Sequence, residues 1–153
     1  MSASQIKVPF HGGCACGSLR YECDMAPVAM FNCHCRDCQR ASGGTFVSVA
    51  LVQDSAVRLL KGSPKYHRVI GESGRWTDRG FCADCGTPLF AKGEVAPGYL
   101  SIKPGSFDDS SWFKPTIDTW APHAPTWLHL DPDLPKTAQT PNVIRGPCKD
   151  RDA

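Results

Sequence analysis

Seven of the nine cysteines in this chain fall into three tight groups: Cys14 and Cys16, then Cys33, Cys35 and Cys38, then Cys82 and Cys85. No other feature constrains the fold as much, because groups of thiols that converge on one point pull distant segments together. In a reducing compartment such groups read as metal ligands before they read as disulfides. The Cys-x-Cys pairs are also poorly placed to bond to each other, given the specific geometry a disulfide requires. Seven is one short of eight. Two closed four-sulfur zinc sites need eight sulfurs, so two sites built from these groups leave one metal with three protein ligands. A closed site is structural, whereas an open position is how catalytic zinc differs.

The rest of the composition sets the frame. A chain of 153 residues and 16.6 kDa is the size of one domain with its own core. Fourteen glycines and 13 prolines call for short elements and many turns. Lysine and arginine total 17 against 15 acidic residues, a net charge of +2, which is too mild to imply an electrostatic nucleic-acid or membrane partner. The first residues hold no apolar run of signal-peptide length, and no window reaches the roughly 18 apolar residues of a membrane span. A cytoplasmic location is the expectation. The oligomeric state is left open, with a homodimer allowed.

Alternation of apolar and polar residues predicts strands over 17–23, 46–52, 56–60, 65–70, 76–81, 87–92 and 99–102. Gly62 and Pro64 mark a turn between the third and fourth of these, and 87–92 reads as the return arm of a hairpin with 76–81. Helical turns are expected only over 36–41 and 108–112. From Lys114 onward the prolines predict an extended segment wrapped over the body. The expectation is an N-terminal arm over 1–9, one zinc-stapled domain over 10–135 and an extended C-terminal tail over 136–153. The fold class is mainly β, with short antiparallel strands, few helical turns and zinc to hold them.

Cys82-Ala83-Asp84-Cys85-Gly86 has the form of a zinc knuckle, in which Gly takes a positive φ so that backbone amides face the sulfurs. Cys14-Ala15-Cys16-Gly17 is a tighter version, and the two are natural halves of one four-sulfur site. An iron–sulfur centre, a redox pair or plain packing cysteines are the alternatives. In the middle group, residues two apart in an extended stretch point the same way. Cys33 and Cys35 then share a metal while His34 faces elsewhere, and Cys38 completes a tripod if the chain turns helical after Cys35. The fourth position is open, or closed by Cys23, Cys148, His67, His123 or His129, or there is no second metal. Three thiolates leave zinc a net charge near −1, so ligation of a further soft thiolate is favoured over activation of water. A thiol adding to a small electrophile, or the reverse cleavage, is the chemistry that follows.

Three segments, 12–21 (GGCACGSLRY), 31–44 (FNCHCRDCQRASGG) and 79–90 (RGFCADCGTPLF), resemble the glutathione-dependent formaldehyde-activating enzyme family, which includes centromere protein V. The resemblance extends over about residues 10–130. It implies an Mss4-like, mainly β fold with two zinc ions. Carried over by position, Cys14, Cys16, Cys82 and Cys85 hold a structural zinc, and Cys33, Cys35 and Cys38 a catalytic one. The implied activity is that of an S-(hydroxymethyl)glutathione synthase, a carbon–sulfur lyase joining glutathione and formaldehyde, with the glutathione sulfur at the open position. Another small substrate, an imine or a halogenated acid, and a non-catalytic binding module are the alternative readings.

Other residues are candidates for lesser roles. Cys23 alternates into a core position, and Cys148 lies in the tail. His34 is either a proton relay or donor to the ligands, or simply turned to core or solvent. Arg36 and Arg40 suit a substrate carboxylate, with surface positions as the alternative. Ser42, Gly43 and Gly44 allow a close backbone approach to a ligand or make a plain turn. Trp76, Trp112, Trp120 and Trp127 read as core or cover, one of the last two at a pocket mouth.

Overall fold

The computed structural model describes residues 5–141. Ten strands build two sheets. A three-stranded antiparallel sheet has the order β1 (Phe10–Gly13), β2 (Arg20–Cys23), β5 (Val57–Lys61). A seven-stranded sheet runs β10 (Asp118–Thr119), β3 (Ala29–Cys33), β4 (Val47–Gln53), β9 (Tyr99–Ile102), β8 (Pro88–Gly93), β7 (Trp76–Phe81), β6 (Lys65–Ile70). All neighbours are antiparallel except β10, which runs parallel to β3. One α-helix, α1 (Arg36–Ser42), follows β3, and among the described residues no helix is long and apolar enough to cross a membrane. The mainly β expectation holds.

The apolar run of β4 explains the layering. Ala50 and Val52 point into the main core, with Tyr21, Leu89, Phe90 and Ile102. Val47, Val49 and Leu51 point the other way and form a second cluster with Phe31 and Cys33. A strand buried on both faces reads as continuous hydrophobic sequence, which is why this one was legible. Tyr21 fills the main core with its ring edge-on to Phe90, 5.1 Å between centroids, and shares a 2.6 Å hydrogen bond with the Ser106 hydroxyl. That bond satisfies the one polar atom the ring buries.

Several expectations shift. The turn expected at Gly62 and Pro64 carries the chain from β5 in one sheet to β6 in the other. The strand expected from residue 17 starts at Arg20, because residues 14–19 are folded into the first cysteine knuckle. Besides α1 the described residues hold three single helical turns, at Asp54–Ala56, Pro104–Ser106 and Ala121–His123, and none at 108–112. Residues 108–112 instead bend: Asp108 is paired to Arg20, and Asp109 accepts the Ser111 N–H at 2.9 Å. Beyond Lys114 the chain adds β10 to the sheet edge, makes one helical turn at Ala121–His123 that the extended expectation did not include, and returns so that the backbone at Lys136 pairs with Asp118. Cys148 lies outside the described residues.

Candidate metal centres

The two knuckles meet. The four sulfurs of Cys14, Cys16, Cys82 and Cys85 lie within 4.8 Å of one another. Cys14 and Cys16 are 3.5 Å apart, and Cys16 and Cys82 are 3.8 Å apart. A tetrahedron with zinc–sulfur bonds of about 2.3 Å has edges of about 3.8 Å, so the donor set fits such an ion without rearrangement. The two turns are built alike: Gly17 N–H reaches Cys14 O at 3.2 Å and Gly86 N–H reaches Cys82 O at 2.8 Å. Both glycines are left-handed, with φ of 78° and 76°, as the Cys-Gly pattern predicts. Backbone and hydroxyl donors face the sulfurs. Leu19 N–H donates to Cys14 Sγ at 3.2 Å, and the Thr87 hydroxyl lies 3.1 Å from Cys85 Sγ. Thr87 Oγ1 also accepts the Ala15 N–H at 3.1 Å, so one side chain stitches both knuckles. Its hydrogen bond holds the Cys85 thiol down to about 6. Sequence reasoning missed Thr87; its one signal is its place directly after Cys-x-x-Cys-Gly.

The middle group is a separate tripod. Cys33 ends β3, Cys35 is the N-cap of α1, and Cys38 sits in its first turn. An N-cap accepts an orphan helix N–H, normally through oxygen. Here Cys35 Sγ takes the role, accepting the Cys38 N–H at 3.3 Å. Hydrogen bonds from Cys33 and Cys35 hold the Cys38 thiol well below its usual range, while contacts with Cys35 and Cys38 push Cys33 far up. For Cys35 the Cys33 contact lowers the thiol, but the Cys38 contact and burial prevail, to about 11. A divalent cation is what lets all three ionise together, so the donor set fits a metal ion.

Among the described residues no fourth Cys, His, Asp or Glu joins this group. Cys23 is buried in the other core with its Sγ 3.3 Å from Met25 O. His123 pairs with Glu72 at 3.6 Å, and His67 and His129 are exposed. His34 faces away from the tripod, as alternation predicts. It is 1% exposed, its Nε2 lies 3.0 Å from Asp118 Oδ1, and its ring packs on Phe46. Asp118 Oδ1 also accepts from Asn32 Nδ2 at 3.0 Å, and Asn32 Oδ1 accepts from Ser48 at 2.8 Å. Nε2–H donates to the carboxylate, and the buried Nδ1 has no hydrogen-bond partner among the described residues. The network locks β10, β3 and β4 together directly behind the cysteines. Asp118 carried no readable signal, since it reaches the tripod only through the pairing of β10 with β3.

A cavity of about 500 Å³ opens over the tripod, and its floor is one face of the seven-stranded sheet. Trp120 lines it, with Nε1 tied to Thr140 Oγ1 at 3.1 Å, whereas Trp127 is 77% exposed and stands apart. Trp112 is core, stacked on Phe107, and Trp76 carries the Arg68 guanidinium 4.2 Å from its ring. Arg36 is hydrogen-bonded to Gln39 and Arg40 is exposed; neither lines the cavity. Lys103 and Arg79 line it instead. Ser42 Oγ accepts the Gly44 N–H at 3.0 Å, closing the helix in a plain turn.

The sequence profile of the glutathione-dependent formaldehyde-activating enzyme family matches residues 9–123, a span holding both sulfur centres. The chain belongs to that family. Among solved structures, a Rhodobacter sphaeroides protein shares the fold with a TM-score of 0.53 and 19% identity, over 64% of this chain and 87% of that one.

Proposed function

We propose that this chain is a zinc-dependent carbon–sulfur lyase of the S-(hydroxymethyl)glutathione synthase type, joining or cleaving a glutathione-like thiol and a small electrophile such as formaldehyde. The observation that carries the reading is the tripod of Cys33, Cys35 and Cys38 on the floor of a large cavity, with no fourth ligand from the described residues. Family membership supports glutathione and formaldehyde as the substrate class. In this reading each centre holds one zinc ion, structural at Cys14, Cys16, Cys82 and Cys85 and catalytic at the tripod. Residues 10–135 are the zinc domain, of Mss4-like type, with 1–9 and 136–153 as its extensions. The reaction belongs to the cytoplasm, where thiols stay reduced.

Bound at the tripod, zinc supplies a soft Lewis acid beside which an incoming thiol is deprotonated yet nucleophilic. The protein's part is to fix that place and shape its surroundings. Cys33 is aimed by the end of β3, Cys35 by its place as the N-cap of α1, and Cys38 by the first turn of α1. The His34–Asp118 bond, together with Gln39 Nε2 donating to His34 O at 2.8 Å, anchors the backbone between the first two sulfurs. Phe31, Val49, Leu51 and Trp120 give one side of the cavity an apolar wall, which excludes water from the sulfur and leaves room for a small electrophile. The test is direct. Cys35→Ala should abolish activity towards glutathione–formaldehyde adducts while the four-sulfur centre keeps its metal. Full activity in that variant, or turnover of imines or halogenated acids only, would contradict the reading.

A further inference from the structure

Across the floor of the cavity the sheet register lines up Leu51, Ser101, Ala91 and Arg79 on neighbouring strands. Lys103 stands two residues beyond Ser101, so alternation brings it to the same face, and its N–H extends the ladder to Leu89 O at 2.8 Å. Both side chains line the tripod cavity, and both also line a neighbouring cavity of about 310 Å³ that reaches Phe46, Phe81 and Pro88. They therefore stand at the junction of the two. Each is half-buried, and neither makes a hydrogen bond or ion pair with another described residue.

The acids on the same walls are spoken for. Asp37 Oδ2 accepts the Glu72 N–H at 3.1 Å, and the Glu72 carboxylate pairs with His123. Lys92, the other lysine of the cavity wall, is held by Asp54 at 3.0 Å. Arginine and lysine together offer eight N–H donors and no acceptor. Half-buried donors require acceptors. Two cations with unused donors beside a metal-binding tripod are complementary to a carboxylate, which the arginine fork binds in bidentate fashion.

We infer that Lys103 and Arg79 form a carboxylate subsite at the junction of the two cavities, so that the thiol taken at the tripod is one that carries a carboxylate. The inference rests on the proposed thiol chemistry and names the residues that choose among thiols. Arg36 and Arg40, the carboxylate candidates nearest the cysteines in sequence, have no part in it. Burial lowers the affinity of Lys103 for its proton, partly offset by the facing sulfurs of Cys38, Cys33 and Cys35.

The test uses the metal-loaded full chain with cobalt(II) in place of zinc, so that sulfur-to-cobalt absorption reports ligation independently of turnover. Glutathione and its diethyl ester are titrated into the native protein, Lys103→Met and Arg79→Gln. In the native protein glutathione should bind at least about tenfold more tightly than the ester, the scale of a charge-assisted hydrogen bond. Each variant should bring glutathione down to the ester's affinity and leave the ester where it was. If both thiols weaken equally in the variants, the pair only balances the charge of the sulfurs and the subsite is refuted, while the thiol chemistry stands. If neither thiol changes the native spectrum, the thiol chemistry itself fails, and the subsite with it. Should Lys103→Met not fold, Arg79→Gln, at the edge-side strand β7, carries the same comparison.

Discussion

Mutating one ligand in each centre should separate them by stability. The four-sulfur site links residues far apart in sequence: Cys16 and Cys82 are separated by 66 positions. A cross-link closing a loop of that length removes about 4 kcal/mol of chain entropy from the unfolded state. The tripod spans Cys33 to Cys38 alone, and closing so short a loop is worth only about 2 kcal/mol on the same scale. The Cys14–Cys85 knuckles also tie the loop after β1 to the β7–β8 hairpin, whereas the tripod is already held by the His34–Asp118 network. For a chain of this size each kcal/mol moves the melting temperature by roughly 2–4 °C. Cys16→Ser should therefore lower the melting temperature of the zinc-loaded protein by about 8–16 °C through the lost cross-link. Cys38→Ser should lower it by about 4–8 °C. Differential scanning calorimetry with metal content measured on the same samples is the assay. Equal shifts in the two variants would refute the division into a structural and an open centre.

Asp118→Leu strips the acceptor from both His34 Nε2–H and Asn32 Nδ2–H; a buried donor left unsatisfied costs about 1–3 kcal/mol, so chemical denaturation should show a loss of a few kcal/mol. Thr87→Val removes the hydroxyl that holds Cys85 near 6. The thiol then rises towards its ordinary value, protons compete harder for the sulfur, and zinc release on acidification, followed with a colorimetric indicator, should begin at a higher pH. Asp108, Asp78 and Glu22 are held below the usual carboxylate range by hydrogen bonds to Arg20, Arg68 and Arg58 respectively. Their folded values are depressed, so their contribution is complete above the ordinary carboxylate value of about 4 and is lost as pH falls below it. Urea midpoints measured between pH 6 and pH 3 should fall, and 1 M salt should flatten the dependence because the pairs are exposed.

The strands that sequence made legible are those with a buried face and enough length to alternate, above all β4 and the β7–β8 hairpin. β1, β3 and β10 were not, because they owe their form to partners: β10 is two residues paired to Asn32 and Cys33. The cysteine groups were fully legible, since ligand spacing is local, and the structure brings them together as two centres. The cavity wall was not. Arg79 and Lys103 are 24 residues apart and meet only through the register of β7, β8 and β9, whereas the arginines adjacent to the tripod in sequence are turned elsewhere by α1.

The central claim is that one centre is closed and the other accepts a thiol. Cadmium NMR of the cadmium-substituted chain resolves the two sites separately. The account predicts two resonances: one at a four-sulfur position that glutathione leaves unmoved, and one at a three-sulfur position that moves to a four-sulfur position as glutathione is added. Two four-sulfur resonances before any thiol is added, or a three-sulfur resonance that glutathione does not move, would contradict it.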